Sequence, residues 1–201
     1  MDHKRNTLVF STILRDITPP IWRRIEVPAS YSFWDLHVAI QDAMPWLDYH
    51  LHLFTVRDPL TGADVHVGIP DEDGFDDFVT LAGWTVPVTD YFHAPRDRAL
   101  YEYDFGDGWM LDVVLESVGR RHAGMKYPRC VDGARKAPPE DCGGVSGYES
   151  MLGIIADPAD EEYESMIEWL SGPFDPDAFD PTQVRFDNPK TRWRHAFTDD
   201  S

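Results

Sequence analysis

Histidines and carboxylates are the side chains of this sequence best suited to hold a cation or move a proton. His50 and His52 stand two positions apart in the run His50-Leu51-His52-Leu53-Phe54. On a strand, residues i and i+2 point to one face, so this pair is predicted to share one. With His37 or His66 nearby, the pair would suit Zn, Ni or Fe, because neutral imidazole is a good ligand for such metals. The plainer reading is a hydrogen-bonded sheet surface. Asp104 and Asp107 flank Phe105-Gly106. An Asp ahead of a glycine turn accepts backbone N–H bonds and tolerates positive φ, so their first role is to make the bend. As a pair they could also ligate a hard cation or work as acid and base in metal-assisted hydrolysis.

Cys130 and Cys142 lie around a Pro-rich loop. Two thiolates fall short of the four ligands of a structural zinc site, and adding His122 gives a spacing that fits no zinc module. They read as two free thiols. Cys142 itself belongs to PPEDCGGVSGYE, residues 138–149. Pro138-Pro139 removes two backbone donors, and Gly143-Gly144 permits positive φ or close backbone approach. Ser146 followed by Glu149 is predicted to form a capping box that starts a helix near Gly147. The segment is therefore read first as a corner and second as the wall of a pocket. Its Glu140 and Asp141 would oppose an anion at that helix start unless a cation bridged them, or unless Arg129, Arg135 and Lys136 paired with them. The acidic stretch at 70–78 has its glycine at the wrong offset for an EF-hand and reads as a solvated loop.

The elements that must position these groups are legible from periodicity. TLVFSTILRD and IWRRIEVP alternate and read as strands joined through Ile17–Pro20. Phe33, Leu36, His37, Ile40, Ala43 and Met44 then fall on one helical stripe, with Ser32 as N-cap and Pro45 as the stop. HLHLFTVRDP is a strand and ADVHVGIP its partner; TVPVTDYF forms a short helix capped by Thr89. Tyr101, Tyr103 and Phe105 alternate up to Gly106-Asp107-Gly108, and Trp109, Leu111, Val113 and Leu115 alternate beyond it. An Asp-Gly turn between alternating runs is a strong hairpin signal. Residues 119–146 read as an extended loop, YESMLGIIADP and DEEYESMIEWLSG as helices, and NPKTRWRHAF as a last short helix. Strands first and helices last predict a single α+β domain over 1–201, with a mainly antiparallel or mixed sheet. Residues 187–201 are expected to be a peripheral tail.

Net charge is −18 over 201 residues. The stretch 119–136 carries six basic groups against Asp132, whereas 137–184 has twelve acids and no Lys or Arg. Duplex binding needs clustered cations, so an acidic body argues against nucleic acid unless the basic loop 119–136 acts alone. No apolar run approaches the roughly 20 residues that span a bilayer, and no signal peptide is recognised at the start. With two cysteines, the chain is expected to be cytoplasmic.

PPIWRRIEVP, LHVAIQDAMPW with HLHLF, YEYDFGDGW, PPEDCGGVSGYE and FDPDAF occur in that order. This series resembles the family named for the third open reading frame of a root-inducing plasmid, whose members are often labelled insertion-element passenger or TnpR proteins. The resemblance runs from about Leu8 to Phe186 and implies a compact α+β fold and an association with mobile elements, but no agreed reaction. No serine-recombinase pattern accompanies the TnpR label. Typical members carry a cysteine just before the two prolines, where this chain has Ala137. A family metal held by three thiolates would lack one here.

The leading expectation is a mobile-element accessory module that binds a protein or small-molecule partner. Its cleft would be built from Tyr103, Asp104, Asp107, Trp109, Glu140, Asp141 and Tyr148. The alternative is a metal-dependent hydrolase, with phosphoesters as a candidate substrate, drawing on His50, His52, Asp104, Asp107, Glu140 and Asp141.

Overall fold

The computed structural model describes residues 6–70 and 78–198, so the loop read at 70–78 lies mostly outside them. Eight strands form one sheet in the order β5-β4-β3-β6-β7-β1-β2-β8. β1 (Asn6–Leu14), β2 (Trp22–Pro28), β3 (His52–Arg57), β4 (Asp64–Gly68), β6 (Arg98–Tyr103), β7 (Trp109–Arg120) and β8 (Arg129–Ala134) pair antiparallel. β5 (Thr80–Ala82) runs parallel to β4. The result is the α+β domain that the order of strands and helices predicts, with a mixed sheet and a helix after the second strand.

Alternation does what its period demands. Along β7, Trp109, Leu111, Val113 and Leu115 are buried, and the intervening side chains face outward. On that outer face Arg15 pairs with Asp112 at 2.6 Å and Arg24 with Glu116 at 2.6 Å. The inner face packs against α1 (Phe33–Ala43). Ser32 accepts from the Asp35 N–H at 3.2 Å, and Asp35 accepts from the Ser32 N–H at 2.9 Å, a complete capping box. α1 is buried beyond its predicted stripe, since Trp34, Val38, Ala39 and Gln41 are also enclosed. Part of the reason is α4 (Pro189–Thr198), which docks on it: Arg192 reaches Asp42 at 2.6 Å, and the Trp34 indole N–H donates to Pro189 O at 3.0 Å.

Three local expectations differ. The supposed loop 119–146 contains the end of β7 and all of β8, an edge strand on β2. Its sequence, RCVDGA, shows no buried face and so lacks the period that marks a strand. The short helix is a single 3-10 turn at Val88–Asp90 with Pro87, not Thr89, at its N-cap. α2 (Gly144–Ala156) starts earlier than Gly147, with Gly143 at its N-cap in the left-handed region and no side-chain cap. The Ser146–Glu149 box therefore does not form; both residues lie inside the helix. α3 (Tyr163–Trp169) follows.

Removing this capping box should be measurable. Ser32→Ala is expected to lower the free energy of unfolding by about 1 kcal/mol, read as a lower urea midpoint at unchanged slope.

Candidate metal centre

The register of two strands sets the site. β3 pairs with β6 so that His52 lies opposite Tyr103. One residue beyond that pair, the Asp104 N–H donates to Leu51 O at 3.0 Å. This brings the bend before β3 beside the turn that leads from β6 into β7. Asp104 adopts φ 54°, in the left-handed region, and accepts from the N–H groups of Gly106 (3.0 Å) and Asp107 (3.2 Å) through Oδ1. It makes the bend, as the sequence predicts. Oδ2 remains and faces His50 Nε2 at 3.5 Å. His50 Nε2 also lies 2.9 Å from Asp141 Oδ1.

Asp141 arrives from the 138–144 corner. That corner lies flat against the hairpin turn because Gly144, at φ 67°, has no side chain: a Cβ there would sit 2.4 Å from Asp107 O. The Gly143 N–H donates to Asp107 Oδ2 at 3.1 Å, and the Trp46 indole N–H to Pro138 O at 3.0 Å. Glu140 accepts from the Tyr103 hydroxyl and from the Leu47 N–H. Burial pushes the Glu140 carboxyl above its ordinary range, against the downward pull of Tyr103 and Leu47. Burial, then Glu140 itself, pushes the Tyr103 phenol well up.

One ligand atom from each of His50, Asp104 and Asp141 lies within 4.8 Å of the others. Among the described residues no Lys or Arg pairs with Asp104, Glu140 or Asp141; Arg129 pairs with Glu26, and Arg135 with Asp177. Lys136 lies over the Phe174 ring. A nitrogen and two carboxylate oxygens suit a divalent cation such as Mn²⁺ or Zn²⁺ and leave coordination positions open. The backbone donors on Asp104 Oδ1 act as supports that aim its other oxygen.

The predicted residues divide. His50, Asp104, Asp141, Glu140 and Tyr103 come together, with Asp107 as the tie to the corner. Trp109 is buried under Trp46, its ring centroid 6.1 Å away. Tyr148 is fully buried against Phe174. His52 does not share a face with His50, because β3 begins only at His52 and His50 sits in the bend before it. His52 instead stacks on His37 at 3.5 Å inside the core, where burial first, and His37 second, pull its pKa well down. Cys130 and Cys142 are free, and neither belongs to the ligand cluster. Burial, helped by Asp107, pushes the Cys142 thiol up to about 12. Sequence reasoning missed the roles of Trp46, which stacks on Tyr103 at 5.1 Å, and of the Leu47 N–H. The only local signal was the Pro45 stop that turns them towards the corner.

The fold and cluster define an α+β protein with a His/Asp/Asp centre at one end of its sheet. Residues 6–183 match the family model for plasmid pRiA4b ORF-3-like proteins, and the chain belongs to that family. It is 32% identical over 160 residues to the uncharacterized protein y4hQ of Sinorhizobium fredii, covering 78% of this chain and 76% of that one. The crystal structure of MM3350 from Methanosarcina mazei Go1, a protein of unknown function, superposes with a TM-score of 0.83 at 43% identity. The match covers 90% of this chain and 99% of MM3350. No helix among the described residues is long and apolar enough to cross a membrane.

Two outcomes test this geometry. Gly144→Ala should cost roughly 1–3 kcal/mol through left-handed strain and displacement of the Asp107 peptide, seen as a lower urea midpoint. Cys142, held protonated, should react with iodoacetamide at pH 8 far more slowly than a small thiol does, and regain ordinary reactivity in guanidinium, followed by mass spectrometry.

Proposed function

We propose that this protein is a metal-dependent hydrolase whose divalent cation is held by His50, Asp104 and Asp141. The carrying observation is the convergence of these three ligand atoms in a place where, among the described residues, no Lys or Arg partners the carboxylates. Asp141 supports the reading most directly. Asp104 and Asp107 bind backbone N–H groups and would be needed for the bends alone; Asp141 also sits in the turn, at φ 55°, but its carboxylate pairs with His50 and not with a backbone N–H. A corner that only bent the chain, as a binding-only accessory module would use, could do so without that carboxylate–imidazole pair.

His50, Asp104 and Asp141 would hold the cation and leave positions open, and the chemistry it would supply is activation of water and sharing of negative charge. Glu140 lies beside the cluster, with its carboxyl raised by burial and bonded to Tyr103. In this reading Glu140 would accept a proton from the attacking water and pass one to the leaving group, with Tyr103 fixing its orientation. The substrate class that suits this chemistry is a phosphoester, whose developing charge the cation would share.

Titration calorimetry with Mn²⁺ and Zn²⁺ should find one equivalent bound. Asp141→Asn should weaken binding by about 100-fold or abolish it, with the circular dichroism unchanged. Glu140→Gln should keep the metal but lower kcat on bis-p-nitrophenyl phosphate by about 100-fold. Wild-type protein that takes up no stoichiometric metal, or Asp141→Asn that binds it equally well, would sink the proposal.

A further inference from the structure

Trp46, which stacks on Tyr103, also lines a cavity of about 780 Å³, within the usual span of small-molecule pockets, roughly 300–1,000 Å³. It opens between the C-terminal end of α1, the 45–47 turn, the 136–137 corner and the 178–185 segment. Ala43, Pro45, Trp46, Leu47, Phe179 and Val184 give it an apolar wall. Three cations, Arg23, Lys136 and Arg185, line it as well.

The ionic accounts of this wall do not balance. The chain as a whole carries −18, yet among the described residues none of the three cations has a carboxylate within ion-pair distance. Arg23 is 1% exposed. It donates to carbonyls alone, Ala43 O at 2.8 Å, Trp22 O at 2.8 Å and Ala134 O at 3.0 Å, with its guanidinium over the Phe179 ring at 3.8 Å. Burial lowers its pKa to about 10. A buried cation without an anion is costly, and the cost falls when a negative ligand arrives. Lys136 Nζ lies over Phe174, and Arg185 donates to Thr182 O and Val184 O. The acids on the same wall are already engaged. Asp42 accepts from Arg192 at 2.6 Å and from the Asp187 N–H at 2.8 Å. Asp180 accepts from the N–H (2.9 Å) and hydroxyl (2.7 Å) of Thr182, with Arg185 near enough to help lower its pKa but beyond ion-pair distance.

We infer that this cavity binds a small amphipathic anion, an aromatic or acyl body bearing one acid group. The acid is drawn to the Arg23, Lys136 and Arg185 side, and the body lies against Trp46, Phe179 and Val184. The site does not depend on a metal at His50: the two places meet at Trp46 and Leu47, and either can fail without the other.

The probe is 1-anilinonaphthalene-8-sulfonate, with the uncharged N-phenyl-1-naphthylamine as its neutral counterpart, titrated by fluorescence into metal-free protein. The sulfonate should saturate one site and bind at least about tenfold more tightly than the neutral dye. Lys136→Ala with Arg185→Ala should erase that preference while leaving the neutral dye unaffected. Ala178→Trp, an exposed position on the wall, should block both dyes by filling the space. Thermal melting of each variant checks that it is folded. Equal affinity for the two dyes, absence of saturable binding, or undiminished binding to a folded Ala178→Trp variant would overturn the inference.

Discussion

Close backbone contact between the 138–144 corner and the β6–β7 turn is the constraint on which the site depends. Two peptide planes can approach this nearly only where one residue lacks a Cβ, and Gly144 supplies that against Asp107. Once the corner is seated, Pro138 meets the Trp46 indole, Glu140 meets Tyr103 and Asp141 meets His50. Each contact joins segments some forty to ninety residues apart in the chain. The corner is thus both a turn device and the carrier of Glu140 and Asp141. Its prolines, which have no N–H to donate to a sheet ladder, keep it available for this use.

Charge is segregated more sharply than composition suggests. The outer face of the sheet pairs its arginines with its own acids, Arg15 with Asp112 and Arg24 with Glu116 and Asp132. Arg192 on α4 gathers Asp42, Asp48 and Asp187. Two partly enclosed groups of charge lie near one another: carboxylates around His50 that no Lys or Arg partners among the described residues, and cations around the cavity lined by Trp46. Charge taken out of water without a full ionic partner is retained at a cost. The opposite signs of these two groups around the 46–47 turn are the strongest physical pointer to ligands here. Of the six basic groups in the 119–136 stretch, Arg129 and Arg135 are held by acids and Lys136 turns to the cavity, which leaves Arg120, Arg121 and Lys126 on the surface.

Much of the fold was legible because its signals are local. The Ser32 cap, the α1 stripe, the β3–β4 pair and the Asp-Gly hairpin each follow from a few adjacent residues, and each is present. β8 and β5 left no such trace. RCVDGA is a strand only because β2 offers it a partner, and Thr80–Ala82 only because β4 does. The start of α2 was misplaced for a related reason. Ser146 and Glu149 satisfy the capping pattern, but the approach to Asp107 already turns the chain at Gly143.

The sequence by itself determined the bends, the alternation, the capped first helix, the acidic surface and the family, because those depend on neighbours along the chain. It also marked most of the residues that would matter. Only the tertiary structure decided which of them meet. His50 and His52, two positions apart, are parted by a strand that begins between them, so that one faces the carboxylates and the other is stacked in the core. Asp141, ninety-one positions from His50, becomes its partner. The spacing of side chains along a chain sets their direction only while one element lasts; beyond that, strand register and the close approach of two backbones choose the company each one keeps.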